Sequence, residues 1–519
     1  MEIVEFKISP EIAFDKEALS AYIRKKLEFK RSKNAFKIVK RSIDARSKNI
    51  VINVIIELSD REPLQVDGEL RHRKLFVDKS KRVIIVGAGP AGLFAAIKLL
   101  EHGIKPIICE RGKDIDSRKE DIKELYSRHE INPDSNYCFG EGGAGAFSDG
   151  KLYTRSTKRG NIKKILELLV FHGADEEIFY DSHPHIGSDV LPDIIRSIRK
   201  SIIDAGGEIF FNNHVSDLII KDKIVRGVRC ENKAEYIADA VILATGHSAR
   251  DVYYLLDKKN IEIESKPLAV GVRLEHPQEL IDKLQYHGRE RGVLPPATYA
   301  MVTQTSYNSV KRGVYSFCMC PGGIIVPAAT APNEIVVNGM SNSCRNSNYA
   351  NSGMVVELKS EDIKEYSKYG VFSFLNFQRE LEQKAYSLSQ KELIAPAQRV
   401  KDFVEDKFSS KLNDTSYEPG LMPVDMKKLF NENISFRLRE AFIRFDQQMK
   451  GFLTSDAQII GVESRTSSPV RIPREKESLQ HIQIKNLYPC GEGAGYAGGI
   501  ISSAIDGERC AEAIVRMLV

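Results

Sequence analysis

The run Val83-Ile-Ile-Val-Gly87-Ala-Gly89-Pro90-Ala91-Gly92 constrains this chain more than any other stretch, because a GxGxxG turn there follows an apolar strand and opens a helix. Gly87 permits the tight turn, Gly89 lets the backbone approach a pyrophosphate, and Gly92 allows the helix to pack closely on the strand. Pro90 and Ala91 begin the helix, whose free N–H groups and dipole make an anion site. The next strand, Pro106–Cys109, ends at Glu110, an acid placed to accept hydrogen bonds from ribose hydroxyls. Strand, turn, helix and acid in this order predict a bound dinucleotide.

With 519 residues the chain is too long for one hydrophobic core, so several domains are expected. Residues 1–78 read as a small N-terminal α/β domain: a strand near Ile3–Phe6, a helix over Lys16–Phe29, and strands at Ala35–Ile43 and Asn49–Leu58 about the turn Arg46-Ser47-Lys48. Arg61-Glu62-Pro63 and the basic stretch after Leu70 read as linker. From 79 to 265 strands alternate with helices, including strands at Glu208–Phe211 and Asp239–Ala244 and a helix over Asp189–Ala205. This rhythm predicts a parallel sheet covered on both faces. Between 266 and 454 the rhythm is lost. Isolated strands at Gly323–Val326 and Glu334–Val337, a polar loop at Ser341–Gly353, and helices near Phe374–Leu388 and Ser435–Gln447 suggest an inserted α+β substrate or cap domain. Residues 455–519 return to strand, glycine turn and helix. The expected class is therefore α/β: a Rossmann-like domain, discontinuous in sequence, carrying an insertion and a small N-terminal domain.

That return identifies the dinucleotide. Tyr488-Pro-Cys490-Gly491-Glu492-Gly-Ala-Gly495-Tyr-Ala-Gly498-Gly499-Ile500 leads into an apolar helix, Ser502–Leu518. A second glycine device so far along the chain suits a ligand too long for one Rossmann half. Glu492 is placed for ribitol hydroxyls, and the final helix would offer about 1 kcal/mol of stabilisation to an anionic reduced ring. The GxGxxG with Glu110-Arg111, the strand end Leu243-Ala-Thr245-Gly246 and the turn at Tyr488–Glu492 resemble the glutathione-reductase-type FAD superfamily. More narrowly, three stretches resemble uncharacterised bacterial FAD-dependent dehydrogenases with an extra N-terminal domain: Gly140–Leu152, His183–Asp189 and Glu463–Arg471. The resemblance implies FAD. It also implies that Gly142, Gly143, Lys151 and Leu152 lie along the pyrophosphate and flavin, that Val215 meets the adenine through its backbone, and that Thr245 and Gly246 close the sheet near the cofactor.

Catalytic side chains are harder to read, since a flavin performs the electron transfer itself. Glu463, Arg465 and Arg471 are the favoured group, as arginines there could anchor a carboxylate or phosphate; a solvated charged loop is the competing reading. Arg345 is a weaker candidate for the same task. Cys318-Met-Cys320 is the one close cysteine pair, and residues two apart on a strand do not easily form an unstrained disulfide, so ordinary buried cysteines are expected. Cys490 reads as a packed strand-end thiol. His183 and His185 lack companions at metal spacing, so no metal is expected, and a helix cap at Ser188/Asp189 is favoured for that loop.

Composition sets outer limits. Eight cysteines without dense spacing favour a reducing compartment, and the start Met1-Glu-Ile-Val-Glu-Phe-Lys shows no signal peptide, so a cytoplasmic protein is expected. The stretch Val83–Leu100 is better read as strand and helix than as a membrane span. Residues 1–82 carry 20 Lys+Arg against 13 Asp+Glu, a net of +7 when the whole chain is +5. The basic clusters Arg24-Lys25-Lys26, Lys30-Arg31 and Lys40-Arg41 lack interleaved aromatics, so a solvated face or a protein-docking surface is favoured over RNA. The leading expectation is an FAD-dependent oxidoreductase acting by hydride transfer on an unidentified small molecule, with NAD(P)H as an optional transient donor because no second Rossmann module dedicated to NAD(P)H is read in the sequence. An RNA-associated flavoprotein and a flavin monooxygenase are the alternatives.

Overall fold

The computed structural model describes residues 2–27, 35–59, 75–153, 160–390 and 393–518. The N-terminal unit comprises β1 (Glu2–Ile8), α1 (Lys16–Lys26), β2 (Ala35–Asp44) and β3 (Val51–Ser59), with an antiparallel sheet in the order β1-β3-β2. Asp15 caps α1 by accepting from the Ala18 N–H, and the helix buries Leu19 and Ile23. Alternate residues Ile52, Val54 and Ile56 of β3 are fully buried, as a one-faced strand requires. The expected end of α1 at Phe29, the Lys30-Arg31 cluster, the Arg61–Pro63 linker and residues 71–74 of the basic stretch after Leu70 lie outside the described residues. Arg41 is not part of a solvated face. It is buried, and its guanidinium donates to Asp181 at 2.7 and 3.0 Å and to Glu177 at 2.7 Å, tying this unit to the next.

The second sheet is built from β4 (Asp78–Val86), β5 (Ile104–Cys109), β6 (Glu208–Phe210), and two strands that follow later in the chain. Its helices include α2 (Pro90–Leu100), between β4 and β5, and α3 (Leu191–Asp204), before β6. After a small antiparallel sheet of β7 (Val215–Lys221), β8 (Ile224–Cys230) and β9 (Glu235–Ile237) comes β10 (Ala240–Leu243). Val83 and Ile85 of β4 enter the core on one face, while Ile84 and Val86 enter that on the other. This two-sided burial is why the strand reads as a continuous apolar run.

Residues 266–454, where the sequence pattern looks irregular, contain most of a seven-stranded sheet. Its strands are β11 (Ala269–Pro277), β12 (Val302–Tyr307), β13 (Val310–Cys320), β14 (Tyr349–Glu357), β15 (Ala395–Arg399), β16 (Leu421–Pro423) and β17 (Gln458–Glu463), in the order β12-β13-β14-β11-β17-β15-β16. All pairs are antiparallel except β15–β16. The last five residues of the loop expected at Ser341–Gly353 are therefore strand, and the strand expected at Glu334–Val337 begins only at Val337 and runs to Met340. Polar residues disguise the core strands. Arg273, Glu275 and His276 of β11 and Asn351 and Ser352 of β14 are all buried, and each makes at least one hydrogen bond inside the fold. The helices expected near 374–388 and 435–447 are present at Ser373–Ser389 and Glu432–Gln448.

The chain re-enters the parallel sheet at β18 (Leu487–Pro489), giving the order β18-β10-β4-β5-β6, and closes with α4 (Ile500–Leu518). A Cβ on Gly507 of α4 would stand 2.0 Å from the Ala91 carbonyl oxygen, and one on Gly92 would stand 2.0 Å from that of Gly87. Glycine thus lets α4 lie against the start of α2 and lets α2 lie against its own turn. Both helix N-termini consequently point at one place.

Candidate cofactor and substrate site

That place is a cavity of about 400 Å³ at the C-terminal ends of the parallel strands, where an open α/β sheet binds its ligand. Gly87, Gly89, Pro90 and Ala91 form one wall, and Gly491, Glu492, Gly498, Gly499 and Ile500 form another. Gly87 has φ +105°, open to glycine but costly for other residues, and a Cβ there would lie 2.5 Å from the Ala244 carbonyl oxygen. No side chain caps α2 at Gly89, so its first N–H groups remain available to an anion.

The loop after Gly140 lies over this turn. Gly142 donates its N–H to the Ala88 carbonyl at 2.9 Å, and a Cβ on Gly143 would be 3.3 Å from the Gly89 Cα. Gly143 and Lys151 line the cavity. Gly92, Gly142 and Leu152 do not: Gly92 packs helix on strand, Gly142 pins the loop against Ile195, and Leu152 is buried in the core. These three support the cradle from behind.

Glu110 is buried, and its carboxylate accepts from the N–H groups of Ala88 at 2.8 Å, Gly112 at 2.9 Å and Gly140 at 3.1 Å. Three of about four acceptor positions are thereby filled, which fixes the acid and leaves one position on the oxygen facing Ala88 for a hydroxyl. Arg111 crosses the Phe139 ring at 4.3 Å and pairs with Asp134 and Asp251. His214, not singled out in the sequence, adds its Nε2 to Asp251 at 2.8 Å, and that hydrogen bond raises its pKa. Val215, Thr245 and Gly246 also line the cavity.

His247 was likewise missed, although it directly follows Thr245-Gly246 at a strand end. It lines the cavity, its Nδ1 lies 2.8 Å from Ser248 Oγ, and burial pushes its pKa down to about 4. A neutral imidazole therefore borders the site.

Glu492 faces the cavity with Lys266 as the nearby cation; burial pushes its carboxyl up to about 7 against the pull of that charge. A carboxyl raised above its ordinary 4.5 binds protons more tightly folded than unfolded. Its contribution is full below the unfolded pKa and is lost as pH rises from about 4.5 to about 7. Glu492→Gln, which imitates the protonated form, should match the wild-type apoprotein in urea stability near about pH 4.5 and exceed it by about 1–3 kcal/mol near about pH 8. A difference constant across that range would contradict this environment for Glu492.

Glu463, Arg465 and Arg471 do not converge. Glu463 is buried and accepts from Arg273 Nη1 at 2.9 Å. Arg465 borders the cavity, yet Nε donates to Glu382, Nη1 to Ser248 and Thr330, and Nη2 to Glu382 and Glu334. A guanidinium has five N–H donors, so none remains for a substrate anion. Arg471 is exposed, with its guanidinium 5.8 Å from the Tyr496 ring centroid. Arg345 is held by both oxygens of Asp149, at 3.0 and 2.7 Å. The loop before α3 also differs from expectation: Asp189 accepts from the N–H and Oγ of Ser343 rather than capping the helix.

Cys490, Asp506 and Cys510 bring three potential metal ligands together, but Arg474 Nη1 donates to Asp506 at 2.9 Å and lies 3.5 Å from the Cys510 sulfur. A guanidinium already supplies the positive charge there. Among the described residues no helix is long and apolar enough to cross a membrane.

Two glycine turns, a fixed acid and two helix N-termini on one cavity fit an extended dinucleotide. Family models match along the chain: a domain of unknown function at 1–59, pyridine nucleotide-disulphide oxidoreductase at 81–262, and FAD-dependent protein, C-terminal domain-like, at 267–466. A Clostridium beijerinckii protein described as uncharacterized is 40% identical over 520 residues, covering 96% of both chains. Thiamine thiazole synthase of Archaeoglobus fulgidus is 28% identical over 218 residues, 39% of this chain and 69% of that one. Among solved structures, CtdE in complex with FAD covers 84% of each chain at 13% identity with a TM-score of 0.32, too loose an overlap to carry an argument. With its glycine turns converged, two family models matched and a relative aligned over 96% of both chains, the chain belongs to the FAD-dependent oxidoreductase family, and FAD is its cofactor.

Proposed function

We propose that this protein transfers a hydride between a small molecule and its FAD, and that the small molecule binds where the parallel sheet meets the seven-stranded one. The observation that carries this reading is the shared lining of the cavity. Phe317, Cys318 and Asn338 of the second unit stand on the same space as the Gly87 and Gly491 turns. Bound FAD supplies the two-electron carrier. The α2 turn holds the pyrophosphate, Glu110 fixes a ribose, and the N-terminus of α4 favours negative charge at the ring. Residues of the second unit exclude water from the remaining volume and shape it for the substrate.

NAD(P)H serves in this reading as a transient donor, docking without a Rossmann module of its own. Anaerobic mixing of the FAD-loaded protein with NADH or NADPH should bleach the flavin absorbance. If dithionite bleaches it and neither nicotinamide does, NAD(P)H is not the donor. A protein that neither retains FAD nor gains thermal stability from it would overturn the whole reading.

A further inference from the structure

One corner of the cavity is bordered by Cys318, with the buried thiol of Cys320 close behind it. Cys318 lines the space near the end of β13, where pairing with β14 slips between Phe317 and Cys320. Lys151 Nζ lies 3.9 Å from the Cys318 sulfur and 3.5 Å from that of Cys320, and Arg273 Nη2 lies 3.4 Å from the Cys320 sulfur. The Cys320 sulfur in turn lies 3.4 Å from the Cys318 carbonyl oxygen. Two sulfurs thus share one pair of cations.

The charges around them do not balance without a thiolate. Lys151, Arg273 and Arg345 bring three positive charges, whereas Asp149 and Glu463 bring two carboxylates. Burial pushes Glu463 up to about 7, so near neutrality that second negative charge is incomplete. The other groups facing the pair do not fill the deficit. Burial, followed by the Arg345 charge, lowers the His185 pKa, burial raises the Tyr299 phenol, and Glu492 is offset by Lys266. The hydrogen bond between the thiols, followed by the Lys151 and Arg273 charges, holds Cys318 well below the ordinary thiol range against the cost of burial. The same hydrogen bond, together with burial, holds Cys320 well above it.

We propose that Cys318 is held as a thiolate beside Lys151, with Cys320 as its protonated neighbour, and that Cys318 is a nucleophile toward soft electrophiles, activated carbon or sulfur, admitted to the substrate cavity. The proposal rests on the cavity assigned above and does not require FAD to be bound. In the step, the Cys318 thiolate gives its electron pair to the electrophilic atom. A bond from Sγ to that carbon or sulfur forms, the bond to the leaving group breaks, and that group departs with its electrons. Cys320 keeps its proton, and the flavin neither gains nor loses electrons.

The test is limited labelling of the full chain, with and without FAD, by iodoacetamide and separately by a dithiodipyridine, with each cysteine followed by peptide mass spectrometry from about pH 5.5 to about pH 9. The internal references are the exposed Cys344 and Cys138, which borders the same cavity and donates to the Ala328 carbonyl. A thiol held well below the ordinary range keeps a larger thiolate fraction near pH 6, and only part of that gain is offset by weaker nucleophilicity. Cys318 should therefore react about ten times faster than either reference near about pH 6, with the advantage shrinking toward about pH 9. Lys151→Met should remove most of that advantage, and the wild-type pH profile stands by itself if the variant does not fold. Fast reaction with one reagent alone assigns the electrophile to carbon or to sulfur. A Cys318 rate equal to that of Cys344 near pH 6, or rising in parallel with it, overturns the proposal. Because the apoprotein is labelled too, failure to bind FAD and failure of the thiolate are read separately.

Discussion

Gly87→Ala should yield a protein that folds but purifies without its flavin, with FAD affinity reduced about 100-fold or more. Two costs combine. At φ +105° an L side chain is strained by about 1–3 kcal/mol. The new Cβ would also stand 2.5 Å from the Ala244 carbonyl oxygen at the end of β10, and such overpacking costs about 1–3 kcal/mol. The turn can relieve the clash only by moving away from β10, which shifts the α2 N–H groups proposed above to hold the pyrophosphate. Roughly 2.8 kcal/mol of misplacement is a factor of about 100 in affinity. Gly173→Ala is the matched control. It has φ +116°, is exposed, and its Cβ would meet nothing within 4 Å, so it carries the backbone strain alone. That variant should lose about 1 kcal/mol of stability and keep its FAD. Titration of the two apoproteins with FAD, followed by flavin fluorescence, separates them. Equal affinity in both would show that the Gly87 turn does not hold the cofactor.

The cofactor half of the site is legible in the sequence because its devices are backbone devices written in glycine. Gly87 and Gly92 mark places where a Cβ would enter a neighbouring backbone, and their positions follow from local spacing, whereas Gly507 shows its role only in the packed structure. The same holds for β4, whose apolar run reports burial on both faces. The seven-stranded sheet was obscured for the opposite reason. β11 reads Ala-Val-Gly-Val-Arg-Leu-Glu-His-Pro, and its charged residues look like a surface although Arg273 and His276 are fully buried. Arg273 is tolerated there because Asn351, Glu463 and the Cys318 carbonyl, each on a different strand, accept its N–H groups. Local periodicity carries no record of partners that arrive from so far away.

The same distance hides the chemistry of the cavity. Cys318 reads as an ordinary buried cysteine until Lys151, 167 residues earlier, is placed beside it. The pKa of His214 is raised chiefly by its hydrogen bond to Asp251, 37 residues later. A motif fixes the residue types; the partners that decide their protonation are supplied by tertiary structure.

Arg465 gives the largest expected stability effect. Arg250 and Arg465 interlock with Glu334 and Glu382: Arg250 donates to Glu334 at 2.9 Å and to Glu382 at 2.6 Å, and Arg465 donates to Glu382 at 2.9 and 3.1 Å. Glu382 is fully buried and Glu334 is 1% exposed, so the four charges must cancel one another. Arg465→Met leaves a buried excess carboxylate, and breaking such a pair costs about 3–5 kcal/mol. Glu334 softens the loss in acid. Burial and then the neighbouring Glu382 push it up to about 7, and loss of Arg465 raises it further. A group raised in the folded state takes its proton below that value, so the deficit should be smaller near about pH 6 than near about pH 8. Adding Glu334→Gln should restore much of the lost stability at the higher pH, because the excess charge is then gone. Arg471→Ala, on an exposed side chain, should change stability by no more than about 0.5 kcal/mol. Urea melts at the two pH values decide the matter. A fully stable Arg465→Met protein with impaired turnover would mean that this guanidinium anchors substrate after all, and that the buried cluster does not depend on it.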